Sequence, residues 1–156
     1  MREAIGPDVP LRVDANQAWD VVTAVAILNQ LAPFGIQYCE EPVAHWNNAG
    51  LARVRAQSPI PIMADESVLD HASLINIIRH DAADIVKVKV MKQGGFLNTR
   101  RMIATAEAAG IRCVVGHGFG LGVNTMCEIM LAATSDNVID GLECVGPLKT
   151  RDDVVT

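Results

Sequence analysis

Aromatic residues are scarce in this chain: two Trp, one Tyr and three Phe among 156 residues. A core must therefore be built from Val, Ile, Leu, Ala and Met, which suits closely packed α/β layers. Basic residues are also few. Thirteen Lys and Arg stand against 18 Asp and Glu, a formal charge of −5, and that balance excludes the clustered cations a nucleic-acid backbone requires. No run of about 18 apolar residues and no secretory pattern is present, so no membrane partner is expected. The four cysteines, Cys39, Cys113, Cys127 and Cys144, form no C-x-x-C pair. They read as reduced thiols, and the expected location is the cytoplasm. The length suffices for one substantial core and falls short of two full-sized domains.

What is present is a repeat of short β-like runs and helical runs. The expected strands are "LRVDAN" (11–16), "IQYCEE" (36–41), "PIMADE" (61–66), "DIVKVKV" (84–90), "RCVVGH" (112–117) and "GLEC" (141–144). Helical patterns lie near 17–32, 46–57, 70–80, 95–109 and 121–134, with Asp70 as a cap and Gly110 as a stop. "MREAIGPDVP" reads as a helix end and a turn. Strand and helix alternate without hairpin signals, which implies parallel strands joined by crossover helices.

Each expected strand closes on an ionisable side chain: Asp14, Glu40, Asp65, Lys89, His117 and Glu143, at intervals of 24 to 28 residues. One βα unit of an eight-fold barrel takes about 30 residues, and active sites sit at the C-terminal rim of that barrel. A doubly wound sheet would instead concentrate its ligand groups at one switch point. The expected fold is a partial (β/α)8 TIM-type barrel of about six βα units. The first two units and an N-terminal capping domain are expected to lie outside the chain. Residues 1–156 thus read as the C-terminal part of a barrel domain.

A single acid at a strand end is ordinarily a solvated turn or a helix cap. Asp14, Glu40 and Asp65 occupy equivalent positions on three successive strands, and three converging carboxylates would repel without a cation between them. Hard oxygen donors suit Mg2+, whereas Zn2+ calls for His or Cys at such positions. Side chains alternate along a strand, so only one of Glu40 and Glu41 can face the barrel interior. Glu41 and Glu66 are expected to support the ligands or to lie at the surface. Asn16, on the face of Asp14, is a supporting partner.

"VDANQAW", "CEEP" and "MADES", in that order, resemble the three metal-ligand motifs of the enolase superfamily. "KVKVMKQGG" is similar to the lysine strand of its muconate lactonizing enzyme branch, within the mandelate racemase and muconate lactonizing enzyme family. The resemblance runs over essentially the whole chain. It implies Asp14, Glu40 and Asp65 as ligands of Mg2+, with Mn2+ as a substitute, and Lys89 as the base. It also implies proton abstraction α to a carboxylate through a metal-stabilised enolate, leading to cycloisomerisation, racemisation or epimerisation, or loss of water. The substrate is then a small carboxylate. A partial barrel leaves strand edges unpaired, so association through them is expected, and the protein is read as a homo-oligomer.

Without the resemblance, Lys89 either neutralises the carboxylates or acts as a base. Lys87 shares its strand face and is assigned to substrate contact, as are His117 and Glu143. His117 is otherwise structural. The mandelate racemase branch pairs a catalytic His at this position with an Asp on the preceding strand. Here Asp84 lies at the wrong end of that strand, so such a dyad is not expected. His45, His71 and His80 read as surface residues. Two alternatives remain at this stage: an acid-sugar dehydratase of the same superfamily, using His117 more actively, and a truncated, inactive scaffold. The chain by itself is expected to be a poor catalyst, because the family's second lysine pair and cap are not in it.

Overall fold

The computed structural model describes residues 1–118, 120–139 and 142–154. Its elements run α1 (Arg2–Ile5), β1 (Leu11–Asp14), α2 (Val21–Leu31), a 3-10 turn (Ala32–Phe34), β2 (Ile36–Glu40), α3 (Asn48–Gln57) and β3 (Ile62–Ala64). They continue with α4 (His71–His80), β4 (Ile85–Val88), α5 (Phe96–Ala108), β5 (Arg112–Val115), α6 (Gly122–Ala132) and α7 (Gly146–Lys149). Strand order follows chain order, β1 to β5. That is the connectivity of consecutive βα units, and the expected class of a partial TIM-type barrel holds.

The chain divides into two compact units. The first comprises Met1–Ser67 with Ile75–Ile85, and the second Val68–Leu74 with everything from Val86 onward. In the first unit β1 pairs with β2, setting Val13 beside Cys39 and Asp14 beside Glu40. β2 pairs in turn with β3, setting Cys39 beside Ile62 and Glu40 beside Met63. Both pairings are parallel. Ala24 and Leu28, one helical turn apart on α2, are buried with Leu51 and Val54 of α3 and Ile77 of α4. Tyr38, Cys39, Ile62 and Met63 supply the strand side of this aliphatic core.

Local chemistry fixes the helix starts. The Asp20 carboxylate accepts the Thr23 N–H at 2.8 Å, and this hydrogen bond holds its acid below the ordinary carboxylate value. Asn47 caps α3 through the Gly50 N–H at 2.9 Å. A Cβ on Gly50 would collide with that Asn47 side chain, so any other residue there would displace the cap. Asp70 accepts the Ser73 N–H at 2.8 Å and caps α4 as the sequence suggests. Gly110 follows α5 at φ 74, a left-handed value that glycine adopts without strain.

The second unit is built on β4, β5, α5 and α6. Gly116 N–H donates to the Val88 carbonyl at 2.8 Å, continuing the β4–β5 ladder beyond β5. Val86, Val88, Met102, Ile103, Ala106, Val114, Val115 and Leu131 form its core.

One expectation needs correction. The sixth strand, 141–144, is not found among the described residues, and Gly141 lies outside them. Val138 makes one isolated parallel bridge to Cys113. Glu143 N–H then reaches the Val115 carbonyl at 3.1 Å. Among the described residues the segment follows β5 through single contacts and forms no ladder. The other strands are shorter than expected, because their polar closing residues lie at or just past the last paired position.

Asp84 ties the foot of the first unit together. Its Oδ2 accepts the buried Ile62 N–H at 2.8 Å, its own N–H donates to the Ile62 carbonyl at 2.9 Å, and its Oδ1 accepts Arg55 Nε at 2.8 Å. Asp84→Ala removes both side-chain bonds and leaves a buried N–H unsatisfied. It should lower unfolding free energy by about 1–3 kcal/mol, measured as an earlier denaturant midpoint. An unchanged midpoint would show that the contact contributes nothing.

Candidate active site in two sets of residues

Carboxylates dominate the strand ends of the first unit. Register sets Asp14 beside Glu40, and Asp65 follows directly after β3, two positions beyond the Met63 that faces Glu40. Alternation along a strand gives these three positions one common side. Glu40 and Asp65 are buried, while Asp14 is exposed. Asn16 grips Asp14, donating its backbone N–H at 2.9 Å to Oδ1 and Nδ2 at 2.8 Å to Oδ2. The neighbouring thiol registers the charge: burial, then the Asp14 and Glu40 carboxylates, push Cys39 up to about 12.

Glu41 has a different task. It is wholly buried, at 0% exposure, with its backbone at φ 35. Its Oε2 accepts the Asp65 N–H at 2.6 Å and the Ser67 N–H at 3.3 Å, and its Oε1 accepts the Ser67 hydroxyl. Glu41 therefore holds the turn that carries Asp65. Burial is the largest influence on its acid and raises its pKa above the ordinary value, against the hydrogen bonds from Ser67 and Asp65. Glu66 is half-buried, and its Oε2 is buried without a hydrogen-bond partner.

The family resemblance brings a divalent cation into question. An all-oxygen donor set at Asp14, Glu40 and Asp65 fits a hard cation in type and in strand placement. Among the described residues, no three His, Cys, Asp or Glu side chains are drawn together into a metal-holding group. The donors fit in kind and position, and they are not drawn into a finished cage.

The second unit carries the cations and the histidine. Lys87 and Lys89 alternate onto one strand face, with Lys87 buried and Lys89 partly buried. A Cβ on Gly116 would press on Lys87 Cδ at 2.7 Å and Lys89 Cε at 3.0 Å, so the glycine leaves room for both stems. Lys87 Nζ donates to Glu143 Oε2 at 2.9 Å, with the lysine side chain 4% and the glutamate 36% exposed. Gln93 is buried. Its Oε1 accepts the Lys89 N–H at 2.6 Å, and its Nε2 donates to the Val68 carbonyl at 2.9 Å.

His117 is buried just past β5. Its Nδ1 lies 2.8 Å from Glu128 Oε2, and the other Glu128 oxygen accepts Asn124 Nδ2 at 2.7 Å. Asp84, the carboxylate that sequence reasoning weighed as a partner, belongs to Arg55 instead. The carboxylate beside the imidazole comes from α6. Glu128 is the only charged residue in α6, "GVNTMCEIMLA", and that isolation is the signal that could have revealed it. Gln93, Gly116 and Ser67 were likewise illegible as site residues. His45, His71 and His80 are exposed.

A family model described as enolase C-terminal domain-like matches residues 1–156. The chain belongs to this family. It is 38% identical over 158 residues to an L-Ala-D/L-Glu epimerase of Clostridium acetobutylicum, covering 99% of this chain and 44% of that protein. It is 33% identical to a chloromuconate cycloisomerase of Cupriavidus pinatubonensis, covering 92% and 39% respectively. A crystal structure of a dipeptide epimerase from Enterococcus faecalis, complexed with Mg and the dipeptide L-Leu-L-Tyr, superposes with a TM-score of 0.95. The sequences are 32% identical, and the match covers 99% of this chain and 44% of that one. The chain thus spans less than half the length of these relatives. No helix among the described residues is long and apolar enough to cross a membrane.

The raised Glu41 pKa carries a sign. An acid whose folded pKa exceeds its unfolded value loses stability as pH rises from the unfolded value through the folded one. Glu41→Gln lacks that loss. The stability difference between the two proteins should therefore shift in favour of Glu41→Gln as pH rises from about 4.5, the ordinary glutamate range. Denaturant midpoints across pH 4 to 8 measure it, and a pH-independent difference would contradict the assignment.

Proposed function

We propose that the intact protein is an isomerase that removes a proton α to a carboxylate with the help of a divalent cation, Mg2+ or Mn2+. The observation that carries this reading is the strand register that sets Asp14 beside Glu40, with Asp65 following β3. The family's relatives are epimerases, racemases and cycloisomerases, reactions that share proton transfer at a carbon next to a carboxylate or its equivalent. A relative's structure holding Mg and a dipeptide supports the choice of cation and of a small carboxylate substrate.

Asp14, Glu40 and Asp65 would hold the cation, with Asn16 orienting Asp14 and Glu41 fixing the turn of Asp65. When bound, the cation offsets the negative charge that develops on the substrate carboxylate as the α-proton leaves. The chain's own residues do the rest. Lys89 takes or returns the proton, and Gln93 fixes its backbone. Lys87, paired with Glu143, presents a buried ammonium for an anionic or carbonyl oxygen. Gly116 keeps the two lysine stems side by side, which holds both amines on one face.

The His117–Glu128 pair favours a second reading, an acid-sugar dehydratase in which His117 protonates a departing hydroxyl. The isomerase reading is preferred because the relatives carry that activity. A homo-oligomer in the cytoplasm, with no nucleic-acid or membrane partner, belongs to the same proposal.

The decisive variant is Lys89→Ala in the intact protein. It should reduce exchange of the α-proton with solvent deuterium by about 10^2- to 10^4-fold, the range of a general base, with Mg2+ affinity nearly unchanged. Exchange at the wild-type rate, followed by proton NMR of the substrate, would remove Lys89 from the mechanism.

A further inference from the structure

Past β5 the chain reads Gly116, His117, Gly118. Alternation carried on from the strand puts the two glycines on one face. It turns the His117 ring to the other, where it meets Glu128 of α6 at 2.8 Å. The space the glycines leave is filled from β4 and the turn after it. A Cβ on Gly116 would press on the stems of Lys87 and Lys89. A Cβ on Gly118 would lie 2.7 Å from Met91 Cγ, 2.9 Å from its Sδ and 3.3 Å from its Cε. The whole Met91 side chain therefore lies flat along the Gly118 backbone. Lys87, Lys89 and Met91 form one row, and every residue of it belongs to the second unit.

Met91 is nevertheless 60% exposed. Its turn is firmly tied. The Lys89 carbonyl accepts the N–H groups of Lys92 and Gln93 at 3.0 and 3.1 Å, and the Val90 carbonyl accepts the Gly95 N–H at 2.8 Å. The Gln93 side chain adds bonds to the Lys89 N–H and the Val68 carbonyl. A single exposed methionine on a surface is ordinary. This one is seated on a glycine, in line with two lysines, with one flank against backbone and the other bare. An unbranched, polarisable thioether in such a place adapts to an apolar group of varied shape.

We propose that Met91 is a specificity-determining residue whose bare flank packs against an apolar substituent on the reacting carbon of the substrate, beside Lys89. Gly118 is the positioning residue that lets the side chain lie there. Met91 carries no charge and no proton, so it acts on the choice among substrates and leaves proton transfer to others. The assignment rests on the isomerase reading, because Lys89 marks the reacting carbon through the proton it moves.

Two dipeptides that differ only in the side chain next to the carboxylate, L-Ala-L-Leu and L-Ala-L-Ala, test this with the intact protein and Mg2+. Solvent-deuterium exchange at the carbon bearing that side chain gives kcat/KM for each. The wild type should favour the leucine probe. Met91→Gln keeps the length of the side chain and sets a polar amide on the contact, so the leucine-to-alanine ratio should fall about tenfold. Met91→Leu should preserve the ratio. Gly118→Ala pushes Met91 off its seat and should lower the ratio in the same direction. Mg2+ affinity should stay constant throughout. A wild type indifferent to the two probes, an unchanged ratio in Met91→Gln, or a ratio that falls only where Mg2+ binding is lost overturns the proposal. Absence of wild-type exchange with both probes counts against the isomerase reading, and the carbon-13 methyl signal of Met91 then decides the contact. A saturable shift on adding L-Ala-L-Leu supports it, and an unmoved signal overturns it.

Discussion

Parallel register is the constraint on which the rest of this structure depends. Setting Asp14 beside Glu40, and Glu40 beside Met63, brings the polar closing residues of three strands to one end and one face. A slip of one residue would turn Glu40 away and bring Glu41 forward, because strand side chains alternate. Tyr38 and Cys39, buried side chains of β2 itself, resist that slip, since it would move them between faces as well.

Glu40 and Glu41 show how adjacent, chemically similar groups acquire separate work. Glu41 is consumed by backbone amides: it holds Asp65 and Ser67 and makes their turn rigid. Its burial disfavours the charged form, and its hydrogen bonds favour it. Glu40 ends β2 in register with Asp14. In the second unit the division is similar. Lys87 is engaged with Glu143, while Lys89 is anchored through its backbone by Gln93. In both places the proposed mechanism sets a residue assigned to the chemistry next to one that fixes geometry.

Much of this was legible in the sequence. The spacing of Asp14, Glu40, Asp65, Lys89 and His117 follows from the length of a βα unit, and capping chemistry located α4 at Asp70. Asp84 was placed correctly at the far end of its strand, where it binds Arg55 and Ile62. What escaped has physical reasons. The expected strand at 141–144 has strand-like composition, but among its described residues the contact with β5 is one hydrogen bond, from the Glu143 N–H to the Val115 carbonyl. Glu128 is marked only by its isolation in an otherwise uncharged helix, which signals burial but does not name the partner eleven residues away. Gln93 and Gly116 act through backbone and through the space left empty. Neither leaves a compositional trace.

The central claim is that Glu40, with Asp14 and Asp65, holds a divalent cation while Glu41 holds the turn. Calorimetric titration of Mg2+ into the intact protein and its Glu40→Gln and Glu41→Gln variants tests this most directly. The account predicts saturable binding by the wild type, near-complete loss in Glu40→Gln and a smaller loss in Glu41→Gln. Binding that survives in Glu40→Gln and disappears in Glu41→Gln would contradict it.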